Sequence, residues 1–183
     1  MEIQKTCCLI GCRPVRLKFR TDENHPDCVK LKRLLRQEME RLIQEEGVTH
    51  FISSLDIGAD LIAAELVLDL KKQYPQVILE SVIPYEEQAV RWNAPQRERY
   101  YEIARQCDES VQLQTAYTHG CKRKHSRYMV SRSGCILAVW GGETRTECGW
   151  TVLYARDFGR DLTIIDPVTF QITREKQTNM ALG

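Results

Sequence analysis

Short apolar runs, each closed by a small or polar residue, alternate along this chain with longer amphipathic segments. Thr6–Gly11 reads as a buried strand ended by glycine. Pro26–Glu46 reads as a helix. Pro26 suits a first turn, Leu31, Leu35, Met39 and Leu42 recur at helical steps, and Gly47 is a natural stop. Thr49–Ser53 is a second strand, and Gly58 and Asp60 introduce a helix that runs through Lys72 before Pro75. Val77–Ile83 is a third strand closed by Pro84, Pro95–Cys107 a polar helix, and Ser110–Leu113 a fourth strand. Cys121–Arg132 is a basic helix, Cys135–Trp140 a strand, Glu147–Phe158 a helix, and Leu162–Ile165 the last strand before Pro167. Strands alternating with helices predict an α/β domain, a mostly parallel sheet with helices on both faces.

That architecture decides where function should lie. Ligands of open parallel sheets bind beyond the carboxyl ends of the strands. The residues following the strands should therefore share one rim: Gly11-Cys12-Arg13, Ser53-Ser54, Pro84-Tyr85-Glu86 and Gly141-Gly142. Ser53 to Asp60 leads from strand to helix, where backbone N–H groups and the helix dipole attract anions. Gly141 to Thr146, with Gly142 and Thr144, does the same after Trp140. Neither matches a Walker loop or a Gly-x-Gly-x-x-Gly fingerprint, and both equally suit plain tight turns. Asp60 reads as a helix cap or a ligand contact. Glu65 reads as a ribose or acid–base group, or as one half of an ion pair with Arg13.

At 183 residues the chain suits one domain, taken as 1–168, with a polar tail over 169–183. Lys and Arg number 26 against 25 Asp and Glu, so charge alone would not coat DNA or an anionic membrane. The one basic run, Lys122-Arg123-Lys124-His125-Ser126-Arg127, is either a phosphate grip or a solvated helix face. No apolar run approaches the roughly 20 residues of a membrane span, and no export signal opens the chain, so a cytoplasmic location is expected. The eight cysteines sit mostly in apolar company and are expected to be reduced and buried. Cys8-x-x-x-Cys12 and His119-x-Cys121-x-x-x-His125 lack the paired couples of a zinc ribbon, so no metal and no cofactor is assigned.

The order of these segments resembles the YpsA-like branch of the SLOG superfamily, the Rossmann-like group that includes DprA and the LOG proteins. Gly11-Cys12-Arg13-Pro14 resembles its opening Gly-His-Arg-Pro. Ile52-Ser53-Ser54 through Gly58-Ala59-Asp60 and Ala63-Ala64-Glu65 resembles its Ile-Ser-Gly…Gly-x-Asp…Ala-Ala-Glu. Ile83-Pro84-Tyr85-Glu86-Glu87-Gln88 with Arg91-Trp92 resembles its Ile-Pro-Phe-x-x-Gln…Trp, and Tyr128-Met129-Val130, Ala138-Val139-Trp140 and Tyr154-Ala155 fall in register. The departures are Cys12 for histidine, Ser54 for glycine, His125-Ser126 for Arg-Asn, and Ser131 and Gly141 for aspartates. Thr146-Glu147-Cys148 stands where a Gly-Gly-Thr turn usually meets the ligand, with Gly141-Gly142 as the nearest substitute.

The resemblance implies a Rossmann-like protein that binds or senses a nucleotide-derived small molecule. It also leaves open a LOG-like nucleoside-monophosphate phosphoribohydrolase, with Glu65 assisting catalysis, and a nucleic-acid-binding protein like DprA. The expected ligand contacts are Gly11, Arg13, Ser53, Ser54, Gly58, Asp60, Glu65, Gly141, Gly142, Thr144 and Thr146. No catalytic residue is assigned. The expected partner is a nucleotide-like molecule, with nucleic acid second, no membrane, and a homo-oligomer left open.

Overall fold

The computed structural model describes residues 2–177. Strands β1 (Thr6–Gly11), β2 (His50–Ser53), β3 (Ile78–Ile83), β4 (Glu109–Gln112), β5 (Cys135–Val139), β6 (Asp161–Ile165) and β7 (Ile172–Glu175) form one sheet in the order β4-β3-β2-β1-β5-β6-β7. All pairings are parallel except β6–β7, so the predicted Rossmann-like α/β architecture is the one observed. Helices α1 (Pro26–Glu46), α2 (Ala59–Leu70), α3 (Ala94–Ala104), α4 (Cys121–Ser131) and α5 (Glu147–Asp157) connect the strands.

The period of two in the strands sorts the core into two layers. Cys7, Leu9, Phe51, Leu79 and Leu137 point to one face and pack with Leu31, Leu35, Leu61 and Ile103 of α1, α2 and α3. Cys8, Ile10, Ile52, Val82, Ile136 and Ala138 point to the other, under Met129 and Val130 of α4 and Val152 and Ala155 of α5. Each large side chain buried completely, such as Phe51 or Leu35, contributes about 1.5–3 kcal/mol. Helices α4 and α5 cover one face and α1 to α3 the other, and because β1 to β5 run parallel, every strand–helix loop opens on the same rim.

Local chemistry sets the helix ends. His25 caps α1, its Nδ1 accepting from the Asp27 N–H at 3.1 Å, and Gly47 ends it at φ +70°. Asn93 and Gln96 form a capping box on α3. Thr146 caps α5 by accepting from the Gly149 N–H at 3.0 Å. Gly11 and Gly58 are required by close approach. A Cβ on Gly11 would lie 2.3 Å from the Ala59 Cβ, and one on Gly58 (φ +103°) would lie 2.5 Å from the Cys12 carbonyl oxygen. Together they let the start of α2 press against the end of β1.

One expectation needs correction. The stretch after 168 is not wholly a tail, since Ile172–Glu175 forms β7 and pairs antiparallel with β6. Its polar composition hides it because an edge strand is held through one side of its backbone. The remainder of the expected tail, 178–183, lies outside the described residues. No helix among the described residues is long and apolar enough to cross a membrane.

Candidate functional site at the carboxyl rim

The chain leaves β1 toward β2 on one side, while β5 lies on β1's other side, so the strand order reverses between β1 and β5. Open α/β sheets bind their ligands at such a reversal. A crevice of about 100 Å³ lies there. Its walls are Gly11, Cys12, Arg13 and Arg16 after β1, Ser54, Asp56 and Asp60 after β2, and Trp140, Glu143, Thr146, Glu147 and Cys148 after β5.

The crevice is rich in carboxylates, and most already have partners. Arg13 donates from Nε and Nη2 to the two oxygens of Asp56 at 2.8 and 2.9 Å. Arg16 pairs with Glu143 at 3.2 Å, and Lys122 with Glu147 at 2.7 Å. Asp60 is different. It is 2% exposed, its Oδ2 accepts from the Ser54 hydroxyl, and its Oδ1 has no hydrogen-bond partner among the described residues. Burial, reinforced by the nearby charges of Asp56 and Glu147, holds its pKa well above the usual carboxylate range. Burial also raises Glu147, with Asp56 adding to the effect and Lys122 opposing it. The Cys12 thiol is pushed up to about 12 by burial, so it is no nucleophile at neutral pH.

A larger hollow of about 550 Å³ adjoins the crevice across Arg13. Tyr85, Gln88, Arg91, Trp92, Tyr117 and Lys122 line it. Tyr85 and Tyr117 meet edge to face at 5.4 Å. Gln88 fixes the floor by donating to the Ser54 carbonyl at 2.9 Å. Tyr117 and Val90 are 61% and 57% exposed, which leaves apolar surface beside cationic side chains.

The structure gathers only some of the expected site residues. Gly11, Arg13, Ser54, Asp60 and Thr146 line the crevice. Ser53 is fully buried and spends its hydroxyl on the Leu55 N–H. Gly58 lines a separate apolar groove with Phe19 and Ile62. Gly141 and Gly142 open on another hollow, beside Arg156 and Asp166. Thr144 is exposed and lines none of these surfaces. Glu65 pairs with Arg99 of α3 at 2.7 Å, not with Arg13, and lies along the flank of α2 outside the crevice. The basic run also divides. Lys122 faces the crevice pair, Arg123 and Arg127 lie over the rings of Trp150 and Phe158, and His125 and Ser126 are buried.

Sequence reasoning missed Asp56, Arg16 and Glu143, and registered Glu147 only as a departure from a pattern. Asp56 carried a signal: it follows Ser54 by two, the spacing of a turn in which its N–H donates to the serine hydroxyl, here at 3.1 Å.

Among the described residues, one group has ligand atoms close enough for a metal: His50, Glu80 and Glu109, all within 4.8 Å of one another. Arg132 already lies on both Glu80 oxygens at 3.0 and 3.1 Å, supplying the positive charge that an ion would bring. The His119–Cys121–His125 spacing assembles no site, because buried His125 uses Nε2 on the Val82 carbonyl at 2.7 Å.

A doubly wound sheet with a crevice at its strand-order reversal defines a Rossmann-like α/β fold. Two solved structures share the fold: DNA processing protein A of Streptococcus pneumoniae (TM-score 0.55, 14% identity, 90% of this chain and 52% of that one) and of Helicobacter pylori (TM-score 0.58, 14% identity, 95% and 69%). Residues 7–169 match the YspA SLOG family, and the chain belongs to that family. A UPF0398 protein of Brevibacillus brevis is 32% identical over 125 residues, 67% of this chain and 65% of that protein. One of Halalkalibacterium halodurans is 30% identical over 119 residues, 64% of this chain and 62% of that protein. The alignments thus span somewhat under two thirds of the length of these relatives.

Proposed function

We propose that the carboxyl rim binds a nucleotide-derived small molecule, the protein acting as a binding or sensing module in the cytoplasm. The observation that carries this reading is the hollow in which Arg13, Arg91 and Lys122 converge with Tyr85, Trp92 and Tyr117, next to the strand-order reversal. Cations supply a seat for phosphate, and the aromatic side chains beside them supply apolar contact for the nucleoside. The eight free thiols, all but Cys107 buried, suit a reducing compartment. A thermal-shift panel of nucleosides, nucleotides and dinucleotides tests the reading. A ligand at about 100 times its dissociation constant stabilises the native state by roughly 2.7 kcal/mol. No shift with any nucleotide removes the reading.

A second reading is single-stranded nucleic acid, which the Helicobacter pylori protein is described as binding. Exposed Tyr117 beside Arg91 and Lys122 favours it, because bases stack on aromatic side chains along a cationic groove. Its signature is affinity that falls steeply with salt. Glycosidic-bond hydrolysis finds no such support, since Glu65 is held by Arg99 away from the crevice.

A further inference from the structure

We infer that the crevice between β1 and β5 takes the N–H donor edge of a nucleobase, and that the phosphate end of the ligand stays outside it, over the adjoining hollow. The inference rests on the nucleotide reading and reverses the orientation that a strand–helix rim would ordinarily suggest. The start of α5 is the place in the crevice where a phosphate would normally sit. Glu147 stands there in the first turn, mostly buried, with its carboxylate tied to Lys122 at 2.7 Å. The protein thus fills its own anion seat with a tethered carboxylate, and an incoming phosphate would meet like charge. The other cations of the crevice are also engaged, Arg13 on Asp56 and Arg16 on Glu143.

What the crevice leaves open is an acceptor. Asp60 lines it, is 2% exposed, and keeps Oδ1 without a hydrogen-bond partner among the described residues. A buried polar atom left unpartnered is costly, and a ligand N–H is the group that would relieve it. Ser54 holds the other oxygen and so fixes the carboxyl plane. Outside, exposed Arg91 makes no ion pair among the described residues and stands in the hollow, ready for the phosphate.

Guanosine, guanosine monophosphate, ribose 5-phosphate and inorganic phosphate are the probes, used on the full chain. Guanosine and its monophosphate are expected to bind, and ribose 5-phosphate and phosphate to fail as competitors for guanosine. Asp60→Asn should weaken guanosine by about tenfold, the loss of one hydrogen bond to a buried acceptor. Glu147→Gln should gain affinity for inorganic phosphate, and this arm stands even if Asp60→Asn fails to fold. Ribose 5-phosphate displacing guanosine from the unaltered protein, or guanosine affinity unchanged in a folded Asp60→Asn, overturns the inference while keeping the nucleotide reading. Absence of binding by every nucleoside and nucleotide overturns both.

Discussion

Arg13 grips Asp56, with Nε and Nη2 on the two carboxylate oxygens at 2.8 and 2.9 Å, and so ties the loop after β1 to the loop after β2. Glu65, read from the sequence as a candidate partner of this arginine, bonds instead to Arg99. The arginine side chain is 46% exposed, so water and salt screen the pair. Arg13→Ala should therefore cost the ligand-free protein no more than about 1 kcal/mol by chemical denaturation. The same variant should weaken any ligand that bridges the crevice and the hollow. A loss of about 3–5 kcal/mol would instead mark a buried pair and assign Arg13 to the scaffold.

Gly11 is a packing requirement. An added methyl would sit 2.3 Å from the Ala59 Cβ, so Gly11→Ala must push α2 away from β1. The expected cost is about 1–3 kcal/mol, read from urea denaturation. Gly11→Ala, Ala59→Gly should recover part of it, because the second change removes the atom that is struck.

His125 and Asp60 act in opposite directions on the acid side. Burial lowers His125 to about 4, with its Nε2–H donated to the Val82 carbonyl. The unfolded chain takes up this proton near 6.5, so between about 6.5 and 4 it binds more protons than the native state. This contribution is therefore lost as pH falls, by about 3 kcal/mol in all. Asp60 has the reverse sign. Its native carboxyl keeps a proton that the unfolded chain has released, so its contribution is lost as pH rises above about 4. Measured across this window, Asp60→Asn should steepen the fall of stability on acidification, and His125→Asn should flatten it. Parallel profiles for both variants and the unaltered protein would refute the assignment.

The eight thiols make a separate test. Cys107 alone is only partly buried. A thiol reagent at neutral pH should modify Cys107 first, slowly, because burial holds its pKa at about 11. All eight should react in denaturant without reductant. Fewer than eight would indicate disulfides.

The fold was legible where a strand is buried on both faces. β1 and β5 read as apolar runs because α-helices cover them on each side. β7 was not, since Thr173, Arg174 and Glu175 carry little apolar signal and the strand is held by backbone pairing with β6. The crevice was half legible. Strand ends placed Gly11, Arg13 and Ser54 on one rim, because parallel register obliges it. Their partners depend on turns that sequence does not display. Buried Leu55 adopts φ +53°, an unusual backbone state for a side chain of its kind, and that turn carries Asp56 to Arg13. Glu147 reads as an ordinary helix-start acid until the opposing Lys122 is seen at 2.7 Å.

β7 also fixes how the molecule can be presented. It runs back from Ile172, beside Ile165, to Glu175, beside Leu162. The Gln177 N–H then donates to Asp161 at 2.8 Å, next to the start of β6. At the other terminus, β1 begins at Thr6, whose carbonyl accepts from the Gly134 N–H at 2.9 Å just ahead of β5. Both described ends thus emerge beneath the sheet, on the side away from Arg13 and Tyr117. A label placed at Glu2 or Gln177 would therefore sit on the side of the sheet away from Arg13 and Tyr117, leaving the crevice clear for measurements of small ligands.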